Sequence, residues 1–228
     1  VLRRDVAVQL SPRKNPFFHH AQAAYFLARR EGKVVGRIAA IHNLLHNEFQ
    51  GDRVGFFGFF ESVDEPAVAG ALFAAAAAWL RPRGLTVMRG PASFSTNDEC
   101  GLLVDGFGTP PVLMMPHNPA YYPKLVEAWG FAKAKDLLAY QTTDDQLPPR
   151  LVEGTEVLQK RYRIGLRQID KGRFRAEVET VKRLYNASWE KNWGFIPMTE
   201  AEIDHLARQL RPVVVPEMVL FAEKAGVP

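Results

Sequence analysis

Two apolar runs within residues 24 to 43, "AYFLARREGKVVGRIAAIHN", flank a polar Glu31-Gly32-Lys33 turn, the pattern of an antiparallel hairpin. A third run, from about Arg53 to Phe60, has phenylalanines that no polar residue separates. It predicts a strand covered on both faces, in the middle of a sheet. Gly55 and Gly58 within it predict a bulge or a close approach to the backbone. A short acidic turn follows, and then a helix that Asp64 caps, Pro66 opens, and Pro82 and Gly84 end. Between Pro66 and Arg81 only the indole of Trp79 can hydrogen-bond, so both sides of this helix are expected to be buried. One side needs the sheet, and the other a second layer, domain or subunit.

Further along, "LTVMRG" reads as a short strand, a long loop follows, and a helix from about Pro119 to Trp129 stops at Gly130. A strand is expected around Lys135 to Gln141. The polar "TTDDQLPPR" at 142 to 150 is the candidate linker, dividing the chain into 1–148 and 149–228. Beyond it "RYRIGLRQI" reads as a strand, and Phe174, Val178, Val181 and Leu184 or Tyr185 recur at helical spacing. Thr199 and Glu202 form a capping box ahead of Ile203, Leu206 and Leu210, and a last strand runs from about Glu217 to Ala225. These elements together make an α+β protein.

Composition narrows the class. The chain has 228 residues, 47% of them hydrophobic and 24% charged, which excludes wholesale disorder. A net charge of +4 does not demand nucleic acid. The single cysteine, Cys100, can form neither an internal disulfide nor a cysteine metal cluster, which favours a reducing compartment and a cytoplasmic location. No apolar stretch reaches the roughly 20 residues that span a bilayer, so no membrane partner is expected. The chain begins at Val1 and ends in "LFAEKAGVP", a strand entering a turn without its return strand, so the natural protein is expected to extend beyond both ends.

The order of hairpin, central strand, helix, strand, "YYPKLVEAWGF" and closing strand resembles the GNAT superfamily of acyl-coenzyme A-dependent N-acyltransferases over residues 24 to 141. The segments "NPFFHHAQAAYFLAR", "VGRIAAIHN", "GFFGFFE", "NPAYYP" and "GFAKAKDLLAY" look like those of bacterial proteins with GNAT-like domains. The resemblance implies a mixed, mostly antiparallel sheet with helices on both faces. Residues 164 to 225 look like the opening of a second similar unit. It also implies acetyl-CoA or another acyl-CoA as cofactor, held near Phe59, Phe60, Ser62 and Asn118, and a small-molecule amine as acceptor. The superfamily's pyrophosphate turn is glycine-rich with a basic residue, whereas this chain has Asp64, Ala67 and Ala69 there. Added methyls and negative charge make that cradle a degraded one. Val126 stands where the superfamily often has a general-acid tyrosine, and Tyr121 or Tyr122, about one turn earlier, could substitute or simply pack.

Glu61, at the end of the central strand, is the carboxylate best placed as general base, with an exposed strand-end glutamate as the plain reading. The loop carrying Arg89, Asn97, Asp98, Glu99 and Cys100 is too long for a connector and is a candidate acceptor pocket built on Arg89, Asn97 and Glu99. Its plainer reading is a short helix started by a Thr96 to Glu99 capping box. His42 and His46 have metal-compatible spacing but no third ligand nearby, and no metal is expected. Between Lys160 and Arg175 seven basic residues interleave with Tyr162 and Phe174, either an anion or RNA patch or one solvated strand face carrying Arg161, Arg163 and Arg167. Trp189 and Trp193 share a face if their helix continues.

Three functional readings follow. The first is a GNAT-type N-acyltransferase whose first unit has lost its phosphate loop. The second is a non-catalytic scaffold whose apolar helix packs on a partner copy, a homo-oligomer. The third, resting on the basic stretch alone, is aminoacyl transfer from tRNA.

Overall fold

The predicted hairpin forms where its turn allows it. Glu31 and Gly32 both take positive φ, 48° and 77°, the combination that matches the twist of two directly joined strands. In the computed structural model, which describes residues 3–112, 114–140 and 148–228, this hairpin belongs to the first of two units. That unit takes in Val1–Leu137 and Asn192–Ile196; the other takes in Leu138–Lys191 and Pro197–Pro228.

The first unit opens with α1 (Arg3–Gln9) and a one-turn 3-10 helix, Pro16–His19, and continues with β1 (Ala21–Arg30), β2 (Lys33–Asn43) and α2 (Leu44–Gln50). Then come β3 (Val54–Ser62), α3 (Pro66–Leu80), β4 (Val87–Arg89), β5 (Ala92–Ser93), β6 (Glu99–Cys100) and α4 (Tyr122–Ala128). The four-stranded sheet has the order β1-β2-β3-β4, antiparallel except for the parallel β3–β4 pair. As expected, β3 is an inner strand. Phe57 and Phe60 lie in a core with Leu72, Phe73 and Ala76 of α3 and Leu125 of α4. Phe56 lies in a second core with Ile41, Phe17 and Phe94, where the Phe17 and Phe94 rings stack 4.7 Å apart.

Both glycines of β3 mark close approaches. A Cβ on Gly58 would fall 1.9 Å from the Ala92 carbonyl oxygen, and one on Gly55 would fall 2.6 Å from Leu80. Beside Gly58 the ladder slips: Arg37 faces Glu61 whereas Ala39 faces Gly58, so β3 carries an extra residue, and Phe59 has a φ of 49°. On its other edge β3 pairs with β4 only through Val54, Gly55 and Phe56. Past Phe56 the ladder ends, and the chain after β4 stays against β3, with the Phe59 amide donating to Ser93 Oγ at 3.1 Å.

Several expectations need correction. The N-cap of α3 is Glu65, not Asp64, and no side chain caps it, because both carboxylate oxygens of Glu65 are held by Arg30 at 2.9 and 2.5 Å. Nor is α3 buried all round. Ala67, Ala71, Ala74 and Ala78 form an exposed stripe, which alanine tolerates because a methyl group exposes little apolar area and favours the helix. No strand forms over 132–140, since the three-residue β4 offers too short an edge to pair with, and Gln141 lies outside the described residues. No helix starts at Thr96. The carboxylate of Asp98 turns the chain by accepting from Ser95 Oγ at 3.0 Å, and Glu99 enters β6 opposite Ser93. The α2 helix was not foreseen, although its signals are present: Asn43 accepts from the His46 amide at 3.1 Å and Gly51 closes the other end with a φ of 65°.

The second unit comprises α5 (Pro149–Tyr162), β7 (Ile164–Gln168), α6 (Phe174–Trp189), α7 (Glu200–Leu210) and β8 (Leu220–Lys224), with β7 and β8 antiparallel. The proposed linker falls largely on 142–147, outside the described residues, and Pro149 already begins a helix. The capping box forms as read: Thr199 Oγ1 accepts from the Glu202 amide at 3.3 Å, and the Glu202 carboxylate accepts from the Thr199 amide at 2.8 Å. Arg167 on β7 donates from Nη1 and Nη2 to the buried Glu177 carboxylate at 2.7 and 2.9 Å, and from Nε to Glu223 at 2.5 Å. Burying Glu177 is tolerable only because that fork and the Asp170 amide satisfy it. Among the described residues no helix is long and apolar enough to cross a membrane.

Candidate functional site

A strand that outruns its neighbour's pairing leaves its last side chains free to line a cavity. The end of β3 does so at a small pocket of about 80 Å³, lined by Phe59, Phe60 and Glu61 from β3, Arg37 from β2, Ser93 and Glu99 from the β5–β6 pair, and His117, Asn118 and Tyr122 ahead of and within α4. Six of the nine residues singled out in the sequence therefore meet here: Glu61, Tyr122, Phe59, Phe60, Asn118 and Glu99.

The polar centre of the pocket is Glu61. Its Oε2 accepts from the Tyr122 hydroxyl at 2.6 Å, and its Oε1 lies 3.6 Å from Arg37 Nη2. The Tyr122 oxygen in turn accepts from the Ser62 amide at 3.1 Å. Tyr122 is fully buried, and burial together with the Glu61 carboxylate pushes its pKa far above the usual tyrosine value. The phenol therefore stays protonated and acts as a fixed donor. Tyr121 donates to the Ser62 carbonyl at 2.8 Å, so both tyrosines clamp the end of β3.

Glu99 supplies a second carboxyl group. Burial first, and the charge of Glu61 second, raise its pKa above the ordinary glutamate value. Two carboxyl groups on one pocket can divide proton acceptance and donation between them. Asn118 is committed to structure: its side chain accepts from the Leu103 amide at 2.7 Å and donates to the Leu103 and Pro119 carbonyls at 3.2 and 3.0 Å. It thereby fixes the neck of the loop between Leu103 and His117. Ser62 is buried and outside the lining, with its hydroxyl on the Val63 carbonyl at 2.8 Å.

Arg89 and Asn97 do not reach the pocket. Arg89 ends β4 with its guanidinium 5.3 Å from the Trp193 ring, and Asn97 donates to the Ile196 carbonyl at 3.2 Å. Sequence reasoning missed Arg37, Ser93 and His117. Arg37 was out of reach, because the register slip between Arg37 and Ala39 is what sets it opposite Glu61.

Other candidates resolve as structure. His46 is buried, edge-on to Phe56, with Nε2 3.2 Å from Asp52 Oδ2, and no group of three metal-ligating side chains forms among the described residues. Val126 lies in the core. Ala69 is wholly buried in that core, so its methyl does not face the acidic turn, whereas Ala67 is exposed. Arg161, Arg163 and Arg167 do not share a strand face: Arg161 belongs to α5, Arg163 is its left-handed C-cap and Arg167 is neutralised on β7. The α6 helix stops at Trp189, so Trp193 is not on it.

The chain is 44% identical over 224 residues, 95% of its length, to a protein of Caulobacter vibrioides named bacterial ceramide synthase. It is 39% identical over 217 residues, 94% of its length, to the Escherichia coli protein YghO. These matches take in 57% and 55% of the two proteins, so the chain spans little more than half the length of the curated relatives it matches. No protein-family profile and no solved structure matches it.

Proposed function

We propose that this chain carries part of an acyl-CoA-dependent N-acyltransferase of GNAT type, whose acceptor is the amino group of a long-chain amino alcohol. The observation that carries the reading is the 2.6 Å bond from Tyr122 to Glu61 in a pocket at the end of β3, beyond its parallel pairing with β4. A ceramide is the amide of a fatty acid with such an amino alcohol, and the name of the Caulobacter relative supports that acceptor class. The bulge at Phe59 and the end of the β3–β4 ladder at Phe56 support the GNAT reading, in which the thioester lies beside the end of the central strand.

Amide formation needs an amine that has lost its proton. Glu61 takes that proton, directly or through one water, as nitrogen attacks the thioester carbonyl and the carbon–sulfur bond breaks. Tyr122 and Arg37 hold the carboxylate toward the pocket. Glu99, whose raised pKa keeps a proton to higher pH, is the donor for the departing sulfur. A volume of about 80 Å³, against about 300 Å³ or more for a pocket enclosing a drug-sized molecule, accommodates the reacting groups and leaves the alkyl chains outside it. The Asp64 turn remains a poor diphosphate seat, since Asp64 is exposed and no arginine is paired with it among the described residues. In this reading the β7-α6-α7-β8 order is the opening of a second GNAT-like unit.

The test is an assay of the full-length protein with long-chain acyl-CoA and a long-chain amino alcohol, with the amide product read by mass spectrometry. Product formation that falls on Glu61→Gln supports the reading. Absence of both amide product and coenzyme A binding overturns it.

A further inference from the structure

We infer that the cleft between α6 and α7 in the second unit binds a phosphate ester carried on an apolar body. This goes beyond the acyl-transfer reading and does not rest on it. The cleft has a volume of about 450 Å³, and its lining includes Arg175 at the start of α6 and Arg208 and Arg211 at the end of α7. Its floor is Phe174, Val178 and Ala207.

The charges decide the ligand. Among the described residues none of these three arginines has a carboxylate within ion-pairing distance. The one acid in the lining, Asp204, is already held by Lys182 at 2.9 Å, and the same lysine is bonded to Glu179. Arg208 also helps lower the pKa of neighbouring His205, after burial as the larger cause, so that ring favours its neutral form. Three guanidiniums around one concavity make it locally cationic, which favours an anion there. A single carboxylate has two acceptor oxygens and one charge. A phosphate has more of both and matches the guanidinium fork, and it is the better partner for three such groups from two helices.

The floor decides what the phosphate is attached to. Arg211 already lies with its guanidinium 5.4 Å from the Phe174 ring, so a charged rim stands directly beside apolar surface. An RNA strand is bound along an extended cationic track with stacked bases. A short cleft with an aliphatic and aromatic base fits one phosphate with an apolar continuation, supplied either by a lipid headgroup or by a phosphorylated nucleotide.

Both sources are tested on the same chain. Inorganic pyrophosphate and adenosine 3′,5′-bisphosphate are titrated by calorimetry, and phosphatidylcholine vesicles with and without phosphatidic acid are used in flotation. Pyrophosphate is expected to bind, and Arg208→Gln with Arg211→Gln is expected to raise its Kd by about tenfold or more. The double lysine variant retains charge without the fork and falls between. Stronger binding of the bisphosphate assigns the site to a nucleotide, and flotation that requires phosphatidic acid assigns it to a lipid. The variants keep their fold if circular dichroism is unchanged, as expected for exposed side chains. The inference is overturned if neither pyrophosphate nor vesicles bind, if Arg13→Gln in the first unit weakens binding as much as the pair does, or if only single-stranded RNA binds.

Discussion

Tyr122 and Glu61, sixty-one positions apart, are joined by a 2.6 Å hydrogen bond in which the phenol donates and the carboxylate accepts. The same phenol oxygen accepts from the Ser62 amide, so one side chain of α4 both orients the candidate base and closes the end of β3. Position and chemistry are thereby tied to one group.

Removing the base separates these roles. Glu61→Gln keeps an acceptor for Tyr122 but has little affinity for a proton. In an amide-forming assay its kcat is expected to fall about 100-fold or more, with the melting temperature unchanged because Glu61 is exposed.

Tyr122→Phe removes the donor to Glu61 and leaves the buried Ser62 amide without its acceptor. It is expected to cost about 1–3 kcal/mol in chemical denaturation, a loss that Glu61→Gln does not share.

Glu99 gives a pH signature. Its pKa is raised in the folded chain, so the folded state holds this proton more tightly than the unfolded one does. The resulting contribution to stability is present below the ordinary glutamate pKa and is lost as pH rises through the raised value. Glu99→Gln is therefore expected to stabilise the chain more at pH 7 than at pH 4 in thermal melts. An equal effect at both values would refute the assignment.

The two sides of α3 should respond oppositely. Leu72→Asp places a charge in the core between helix and sheet and is expected to unfold the first unit. Ala71→Glu, on the exposed stripe, is expected to change stability by no more than about 0.5 kcal/mol.

Gly58→Ala tests the close approach beneath the pocket. The added methyl meets the Ala92 backbone, which cannot swing aside as a side chain can, and the expected loss is about 3 kcal/mol.

What the residues determined alone was whatever is local. The hairpin around Gly32, the Thr199 capping box, the apolar β3 and the spacing of α6 follow from turn geometry, side-chain reach and periodicity within a few positions of each other. They were legible for that reason, as was Glu61 at a strand end. Tertiary structure alone decided what those pieces meet. A strand at 132–140 failed for want of a sheet edge, Glu65 at the start of α3 makes no side-chain cap because Arg30 holds its carboxylate, and the exposed face of α3 appeared because burial depends on neighbours. The pocket is of the same kind. Arg37, Glu61, Glu99 and Tyr122 come from four separate stretches of chain, and only the slipped register of β3 and the folding of the β5–β6 pair and α4 against its end bring them to one place.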